Sequence, residues 1–80
     1  MDIRLNDKVH FVGYNGQMRK YYAHTDKVIA ITDWHNGRKT YLLSANPEHQ
    51  RSAAEFYSSK EDAMKVAMLL NQINDKAEEL

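Results

Sequence analysis

The stretches YNGQ (residues 14–17) and HNGR (residues 35–38) decide the predicted fold, because each places an Asn-Gly pair between runs of strand-forming residues. A two-residue hairpin turn of the tight kind needs positive φ at both central positions, which Asn and Gly tolerate best. The sequence therefore predicts two β-hairpins in the first half of the chain. The two turns also set which side chains share a face, provided that both loops are two residues long.

Four strands extend outward from these turns. They are expected at about residues 7–14, 18–24, 27–34 and 39–44, with 53–57 as a candidate short fifth strand. The Thr25-Asp26 pair is expected to separate the second strand from the third. Residues 44–52, which contain Pro47, are expected to form a loop or a single helical turn.

Two-residue loops give each predicted hairpin one core face and one outer face. The core faces collect Val9, Phe11, Met18 and Tyr22 in the first hairpin and Ile29, Ile31 and Leu42 in the second. The outer faces collect His10, Val12, Tyr14, Arg19 and Tyr21 in the first, and Val28, Ala30, Thr32, Trp34, Lys39, Tyr41 and Leu43 in the second. The outer face of the second hairpin is unusually apolar and aromatic for a solvated surface.

A long C-terminal helix is expected at about residues 60–77, with Ser59 as its N-cap. Its apolar residues recur at three- and four-residue spacing and should face the sheet: Ala63, Val66, Ala67, Leu70, Ile73 and Ala77. Met64, Met68 and Leu69 widen that stripe. The predicted fold is a single α+β domain over residues 1–80, an antiparallel β-meander of four or five strands packed by this helix.

The opening segment LNDKV (residues 5–9), followed by two hairpins, resembles a small SH3-like barrel. That resemblance implies an alternative to an open sheet, in which the strands curl and bury both faces. In size and build the chain is also similar to the short accessory proteins with which phages block host or defence complexes.

The composition narrows the class of protein. Eighty residues with zero formal net charge, no cysteine and no long apolar run predict a cytoplasmic protein (host cytoplasm if phage-encoded) without disulfides or a membrane span. Residues 1–44 carry seven Lys and Arg against four Asp, whereas residues 45–80 carry four against seven acidic residues. This asymmetry is too weak for a DNA-compacting protein and has the wrong pattern for an acidic DNA mimic.

No constellation of residues predicts catalysis, a cofactor or a metal site. The four histidines, at positions 10, 24, 35 and 49, do not fall at metal-ligand spacings, and no cysteine accompanies them. Asp33, His35 and Thr40 cluster around the second turn, but a strand-end hydrogen bond explains Asp33 and Thr40 more simply. We therefore expect a protein that is not an enzyme.

Aromatic and basic residues on the predicted outer faces favour a binding module. The expected binding residues are Trp34, Tyr41, Arg38 and Lys39, then Tyr14, Arg19 and Tyr21. The leading hypothesis is an intracellular inhibitor or regulator of a protein partner, of the phage accessory or counter-defence type. The alternative is single-stranded RNA or DNA binding through the same residues. A homodimer through Met64, Met68 and Leu69, or through a sheet edge, is compatible with either.

Overall fold

The structure, a computed structural model, describes residues 2–79. Four strands precede one long helix: β1 (Lys8–Asn15), β2 (Lys20–Asp33), β3 (Lys39–Leu43), β4 (Asn46–Arg51) and α1 (Lys60–Glu79), with a short 3₁₀ turn at Ala53–Glu55. The strands are antiparallel and lie in the order β1-β2-β3-β4. The predicted fold class is confirmed: an α+β meander of four strands packed by one C-terminal helix. No described helix is long and apolar enough to cross a membrane.

The four strands are not the four predicted segments. The segments expected at 18–24 and 27–34 form one continuous strand, β2, which pairs with β1 through its first half and with β3 through its second. The Thr25-Asp26 pair stays within this strand because both side chains have partners. The Thr25 hydroxyl lies 2.8 Å from His10 Nδ1 on β1, and the Asp26 carboxylate bonds the turn that follows β3.

The turn after β3, at Ser44-Ala45, is the two-residue connection of the fold. The Asp26 carboxylate accepts hydrogen bonds from the Ser44 hydroxyl, the Ala45 N–H and the Lys27 N–H. Desolvation raises the pKa of Asp26, but these hydrogen bonds, with the charge of Arg51, outweigh it and hold that pKa below the ordinary value. The turn returns the chain as β4, which replaces the predicted loop at residues 44–52.

Two further details of the second half differ from the predictions. Pro47 fits in β4 because β4 is an edge strand, where a missing N–H costs no ladder bond. The candidate fifth strand at 53–57 does not form among the described residues. Its first three residues make the 3₁₀ turn, and only Tyr57 pairs, donating its N–H to the carbonyl oxygen of His10 at 2.8 Å.

The first hairpin has a four-residue loop, at 16–19, instead of the predicted two. Its register pairs Tyr14 with Tyr21 and Val12 with Ala23, whereas a two-residue loop pairs Val12 with Arg19. Relative to the register of a two-residue loop, β2 is displaced along β1 by four residues. Because four is even and side chains alternate with a period of two, the predicted faces keep their members on the strands.

The second hairpin has a five-residue loop, at 34–38, and its register is displaced by one residue. Ile31 pairs with Tyr41 and Thr32 with Thr40, whereas a two-residue loop pairs Thr32 with Tyr41. A displacement by one moves every side chain of the partner strand to the other face. The register shifts again at Ile29, where a bulge leaves Val28 opposite Leu43.

The core therefore differs from the predicted one in the second hairpin. Ile29 is 42% exposed and Leu42 is half-buried, although both were predicted to be core. Three residues of the predicted outer face, Val28, Tyr41 and Leu43, are buried instead. The core cluster consists of Ile3, Val9, Phe11, Val28, Tyr41, Leu43 and Phe56, with Ile31 packed against it.

Two predicted core residues of the first hairpin are also exposed. Met18 belongs to the four-residue loop, and Tyr22 lies three residues after it, near the tip of the hairpin. The core lies nearer the other end, where Val9 and Phe11 meet the second hairpin. There the sheet curls, and the guanidinium carbon of Arg51 on β4 lies 4.3 Å from the ring centroid of Phe11 on β1.

The helix covers the opposite face of the first hairpin from the core. Among the helix side chains that the structure describes, Ala63 and Ala67 are buried. They are not part of the core cluster, and Ala67 lies beside Tyr21 and Ala23 of β2. The predicted N-cap is confirmed, because Ser59 Oγ accepts the Asp62 N–H at 3.1 Å. The first hairpin is thus covered on both faces.

The second half of the helix is anchored by a polar side chain. Asn71 Oδ1 accepts the Tyr21 N–H at 2.7 Å, and Asn71 Nδ2 donates to the Tyr21 carbonyl oxygen at 3.0 Å. The Asn71 amide thus makes the two bonds that a neighbouring strand would make at this edge. Beyond it, Ile73 (64% exposed) and Ala77 do not reach the sheet, contrary to prediction, because the helix extends toward and past the end of the hairpin.

Candidate binding site at the second hairpin loop

A cleft of about 450 Å³ lies between the loop at 34–38 and the segment that joins β4 to the 3₁₀ turn. The loop contributes one wall and the end of β4 with the 3₁₀ turn the other. The floor contains Thr40, a buried polar residue. The lining residues are Trp34, His35, Asn36, Arg38, Thr40, Gln50, Arg51, Ser52 and Glu55.

The loop is held in shape by its own hydrogen bonds. Trp34 N–H donates to the Arg38 carbonyl oxygen at 2.8 Å, and Gly37 N–H donates to the Trp34 carbonyl oxygen at 2.9 Å. The Asn36 side chain accepts the Arg38 N–H at 3.0 Å. Gly37 has φ +84°, a left-handed conformation that glycine adopts without steric cost. The Asn-Gly pair therefore stabilises this loop, although within a five-residue loop and not a two-residue turn.

The Trp34 side chain is fixed by a chain of hydrogen bonds. Its Nε1–H donates to Thr40 Oγ1 at 2.9 Å, and the Thr40 hydroxyl donates to Gln50 Oε1 at 2.6 Å. The residue nevertheless remains 45% exposed. An exposed indole in one defined orientation is a pre-organised contact, because little side-chain entropy remains to be lost on binding.

The wall made by β4 and the 3₁₀ turn contains an ion pair. Arg51 Nη1 lies 3.3 Å from Glu55 Oε1, and Glu55 Oε2 accepts the Ser52 N–H at 2.9 Å. Arg51 Nε is buried and has no hydrogen-bond acceptor among the described residues. The charges of Arg51 and Glu55 compensate each other. Arg38, by contrast, is exposed and takes part in no ion pair within the described part of the chain.

Two of the seven predicted binding residues, Trp34 and Arg38, meet at this cleft. Lys39 follows them at the start of β3, exposed, with its Nζ 3.8 Å from the Asp33 carboxylate. Tyr41 was predicted to be a binding anchor on the exposed outer face, but the structure buries it. It is only 5% exposed and packs edge-to-face on Phe56 with ring centroids 5.8 Å apart, because the one-residue register shift turns it inward.

The remaining predicted binding residues form a second, separate group at the tip of the first hairpin. Tyr14 and Tyr21 are cross-strand partners with ring centroids 4.9 Å apart, and Arg19 lies in the loop with φ 55°. Tyr21 and Trp34 lie at opposite ends of β2, which is about 43 Å of chain at strand spacing. The predicted residues therefore do not share one surface.

The predicted oligomer interface is divided in the same way. Met64, Met68 and Leu69 are all exposed, and the two methionines line a groove beside Tyr21, Tyr22 and Ala23. Leu69 follows Met64 by five positions and Met68 by one, so around the helix axis it lies about 140° from the first and about 100° from the second. The three side chains do not form one continuous patch.

Sequence reasoning missed the wall of the cleft formed by Gln50, Arg51, Ser52 and Glu55. These residues were assigned to a loop and a candidate strand, so they had no defined position relative to Trp34. One signal was present: the pattern Ser-x-x-Glu at 52–55 is typical of a capping box at the start of a helical turn. Recognising it would have placed a helical turn, instead of a strand, after Arg51.

Known chemistry and known proteins add little to this geometry. Among residues 2–77, whose side chains the structure describes, no three His, Asp or Glu side chains lie close enough together to hold a metal ion. Comparison of the chain with protein-family models, with curated proteins and with solved structures finds no match.

Proposed function

We propose that the protein is a non-enzymatic binding protein that modulates a protein partner through the cleft between the loop at 34–38 and the end of β4. The observation that carries this proposal is Trp34, an exposed indole held in one orientation by the buried hydroxyl of Thr40. Tryptophan and arginine are the residues most enriched among the energetic hot spots of protein interfaces, and Trp34 and Arg38 meet here.

The chemistry of the cleft supports binding better than catalysis. Its carboxylate, Glu55, is already bonded to Arg51 and to the Ser52 N–H, so it is a poor candidate for a general base. The Thr40 hydroxyl accepts from Trp34 and donates to Gln50, so no base activates it as a nucleophile. These bonded groups fix the positions of Trp34 and of the facing wall.

The separation of the two aromatic groups favours a protein partner over single-stranded nucleic acid. A nucleic-acid strand is bound by successive aromatic rings along a basic groove. In this protein Trp34 and the Tyr14–Tyr21 pair lie at opposite ends of β2, and the two tyrosine rings contact each other. Tyr41, the ring that would have extended the platform beside Trp34, is buried.

The proposal is tested by affinity capture from lysate of the cell that expresses the protein, with Trp34→Ala compared with Ile29→Ala. Both variants remove an exposed apolar side chain, but Ile29 lies in the β2 bulge and does not line the cleft. We expect Trp34→Ala to weaken partner binding about 30-fold or more, as loss of a hot spot of 2 kcal/mol does. Ile29→Ala should bind as the wild type does.

Two results would contradict the proposal. Equal capture by Trp34→Ala and wild type, in variants with matching circular dichroism, would remove the cleft from the interface. A partner that disappears when the lysate is treated with nuclease would favour nucleic-acid binding instead, and that binding should fall steeply as salt rises.

A further inference from the structure

We propose that the cleft binds an extended peptide segment of the partner in which an Asp or Glu side chain lies next to an aromatic or aliphatic one. The acidic group would bind Arg38, and the apolar neighbour would pack on Trp34. This inference rests on the proposed function and adds to it the chemistry of the segment that is recognised.

The first argument is charge. Of the cations around the cleft, Arg51 is paired with Glu55, and Lys39 lies 3.8 Å from the Asp33 carboxylate. Arg38 has no carboxylate partner among the described residues. The cleft therefore has one uncompensated positive charge at its rim, beside the exposed indole. A guanidinium binds a carboxylate through two parallel N–H···O bonds, which adds direction to the attraction.

The second argument is the orientation of the amide side chains. Gln50 Oε1 accepts the Thr40 hydroxyl and Asn36 Oδ1 accepts the Arg38 N–H, so in both residues the oxygen is used and the NH₂ group is left over. With the Arg38 guanidinium, these free amide groups are hydrogen-bond donors, while the His35 ring, which also lines the cleft, can donate or accept. Donors without acceptors suit a ligand that only accepts, which an ionised carboxylate does.

The third argument is size. At about 450 Å³ the cleft lies in the lower part of the range for small-ligand sites, about 300–1,000 Å³. This volume suits a few side chains and not a folded domain. The exposed face of Trp34 supplies the apolar part of the surface, so an apolar side chain beside the carboxylate completes the fit.

An internal acidic side chain fits better than a chain terminus. C-terminal carboxylates are usually captured by several free backbone N–H groups. In the loop at 34–38, the N–H groups of Trp34, Gly37 and Arg38 already donate within the loop, and those of His35 and Asn36 have no acceptor among the described residues. Two free N–H groups are fewer than a C-terminal carboxylate site usually offers, so we assign the anion to the Arg38 side chain, which can reach out to a carboxylate on an extended segment.

The test is selection of random heptapeptides displayed on phage against the full-length protein, with the Trp34→Ala variant as counter-target. We expect the enriched peptides to carry Asp or Glu beside an aromatic, Leu, Ile or Met residue. An enriched peptide is then synthesised with an amidated C-terminus and titrated by fluorescence polarisation. Trp34 is the sole tryptophan of the chain, so its own emission reports binding of peptides that lack tryptophan.

The decisive comparison uses single changes on both sides. Replacing the acidic residue of the peptide by its amide should weaken binding at least tenfold, and Arg38→Gln should weaken it equally. The matched control is Lys65→Gln, which removes an exposed cation on α1 that does not line the cleft and should have no effect. A version of the peptide without its acidic residue but with a free C-terminus should not recover affinity.

Several results would overturn the inference. The selection would overturn it if peptides were enriched no more strongly on the wild type than on Trp34→Ala, or if the enriched peptides lacked an acidic residue. The titrations would overturn it if Arg38→Gln bound the peptide with full affinity, or if a free C-terminus restored the affinity of the peptide without its acidic residue. If an oligouridylate binds the wild type and not Arg38→Gln, then Arg38 binds phosphate groups instead of a carboxylate. If Arg38→Gln keeps the native partner while Trp34→Ala loses it, the proposed function stands and this inference falls. If neither variant loses the partner, both fall.

Discussion

Each of the two hairpins contains an Asn-Gly pair at its turn, but the number of residues in the loop differs. The first hairpin has four loop residues and the second has five, where two were predicted in each. The first therefore keeps its predicted faces and the second exchanges them. The buried side chains therefore depend on whether the register is displaced by an even or an odd number of residues. The turn motif that marks the hairpin does not determine them.

The asparagines explain why both loops are longer than two residues. Asn15 Oδ1 accepts the N–H groups of Gln17 and Met18, and Asn36 Oδ1 accepts the Arg38 N–H. In each loop the side chain completes a turn of its own, as Asn does in Asx turns. Loops of four and five residues are most often built around a type I turn, which favours Asn at its first position. An Asn-Gly pair is therefore evidence for a turn, whereas the length of the loop depends on the rest of the hairpin.

The strongest way to break this comparison is to truncate the residue that the register shift buries. Tyr41→Ala should lower the free energy of unfolding by about 3–5 kcal/mol, as loss of a buried aromatic side chain does. Ile29→Ala, which the two-residue register places in the core, should cost less than about 1 kcal/mol because Ile29 is exposed.

Urea denaturation of both variants checks this prediction. A domain of this size has a total stability of about 4–12 kcal/mol, so Tyr41→Ala removes a large fraction of it and should lower the urea midpoint strongly. Comparable losses in the two variants, or a larger loss for Ile29→Ala, would support the two-residue register and contradict the structure.

The fold class was predictable because it depends on features that survive errors of register. Two hairpins and a capped amphipathic helix suffice for an α+β meander, and the Ser59 cap formed as expected. The continuous β2 was not predictable, because Thr25 and Asp26 look like a turn until His10 and Ser44 are placed beside them. Half of the candidate site was missed for a similar reason. Trp34 is visible in the sequence, but the wall facing it comes from a segment that contains Pro47.

The first hairpin can be tested through the helix that covers it. Asn71→Ala removes both bonds to the Tyr21 backbone and should cost about 1–2 kcal/mol. Hydrogen exchange should also speed up at the Tyr21 amide. Gln72→Ala, which alters the exposed neighbour that makes no hydrogen bond to β2, serves as the control. If the exchange rate at Tyr21 is unchanged in Asn71→Ala, the Asn71 side chain does not protect the backbone at this edge of β2.

A glycine pair sharpens the comparison of the two loops. Gly37 has positive φ and Gly16 does not, and a Cβ at either position meets no atom within 4 Å. Gly37→Ala should therefore cost about 1–2 kcal/mol from backbone strain alone. Gly16→Ala should be neutral or stabilise the protein by up to about 1 kcal/mol. Thermal unfolding distinguishes them, and equal shifts would mean that the loops have the same conformation.

The smallest expected effect concerns the two-residue turn at Ser44-Ala45. The pKa of Asp26 in the folded protein is held below its value in the unfolded chain, which is about 3.9. The ionised carboxylate therefore stabilises the fold above about pH 4, and this contribution is lost as the pH falls through the folded pKa. Asp26→Asn should be less stable at neutral pH and should lose less further stability on acidification. A parallel pH dependence of wild type and variant would contradict this.

The central claim is the register of the second hairpin, since it buries Tyr41 and places Trp34 on the cleft. Trp34 and Arg38 form a hydrogen-bonded pair at the loop, so the next pair, Asp33 with Lys39, is a non-hydrogen-bonded pair with close Cα atoms, and so is Ile31 with Tyr41. The most direct measurement is the proton nuclear Overhauser spectrum of the labelled protein. The structure predicts Hα–Hα contacts from Ile31 to Tyr41 and from Asp33 to Lys39. An Hα–Hα contact from Thr32 to Tyr41 would contradict the account.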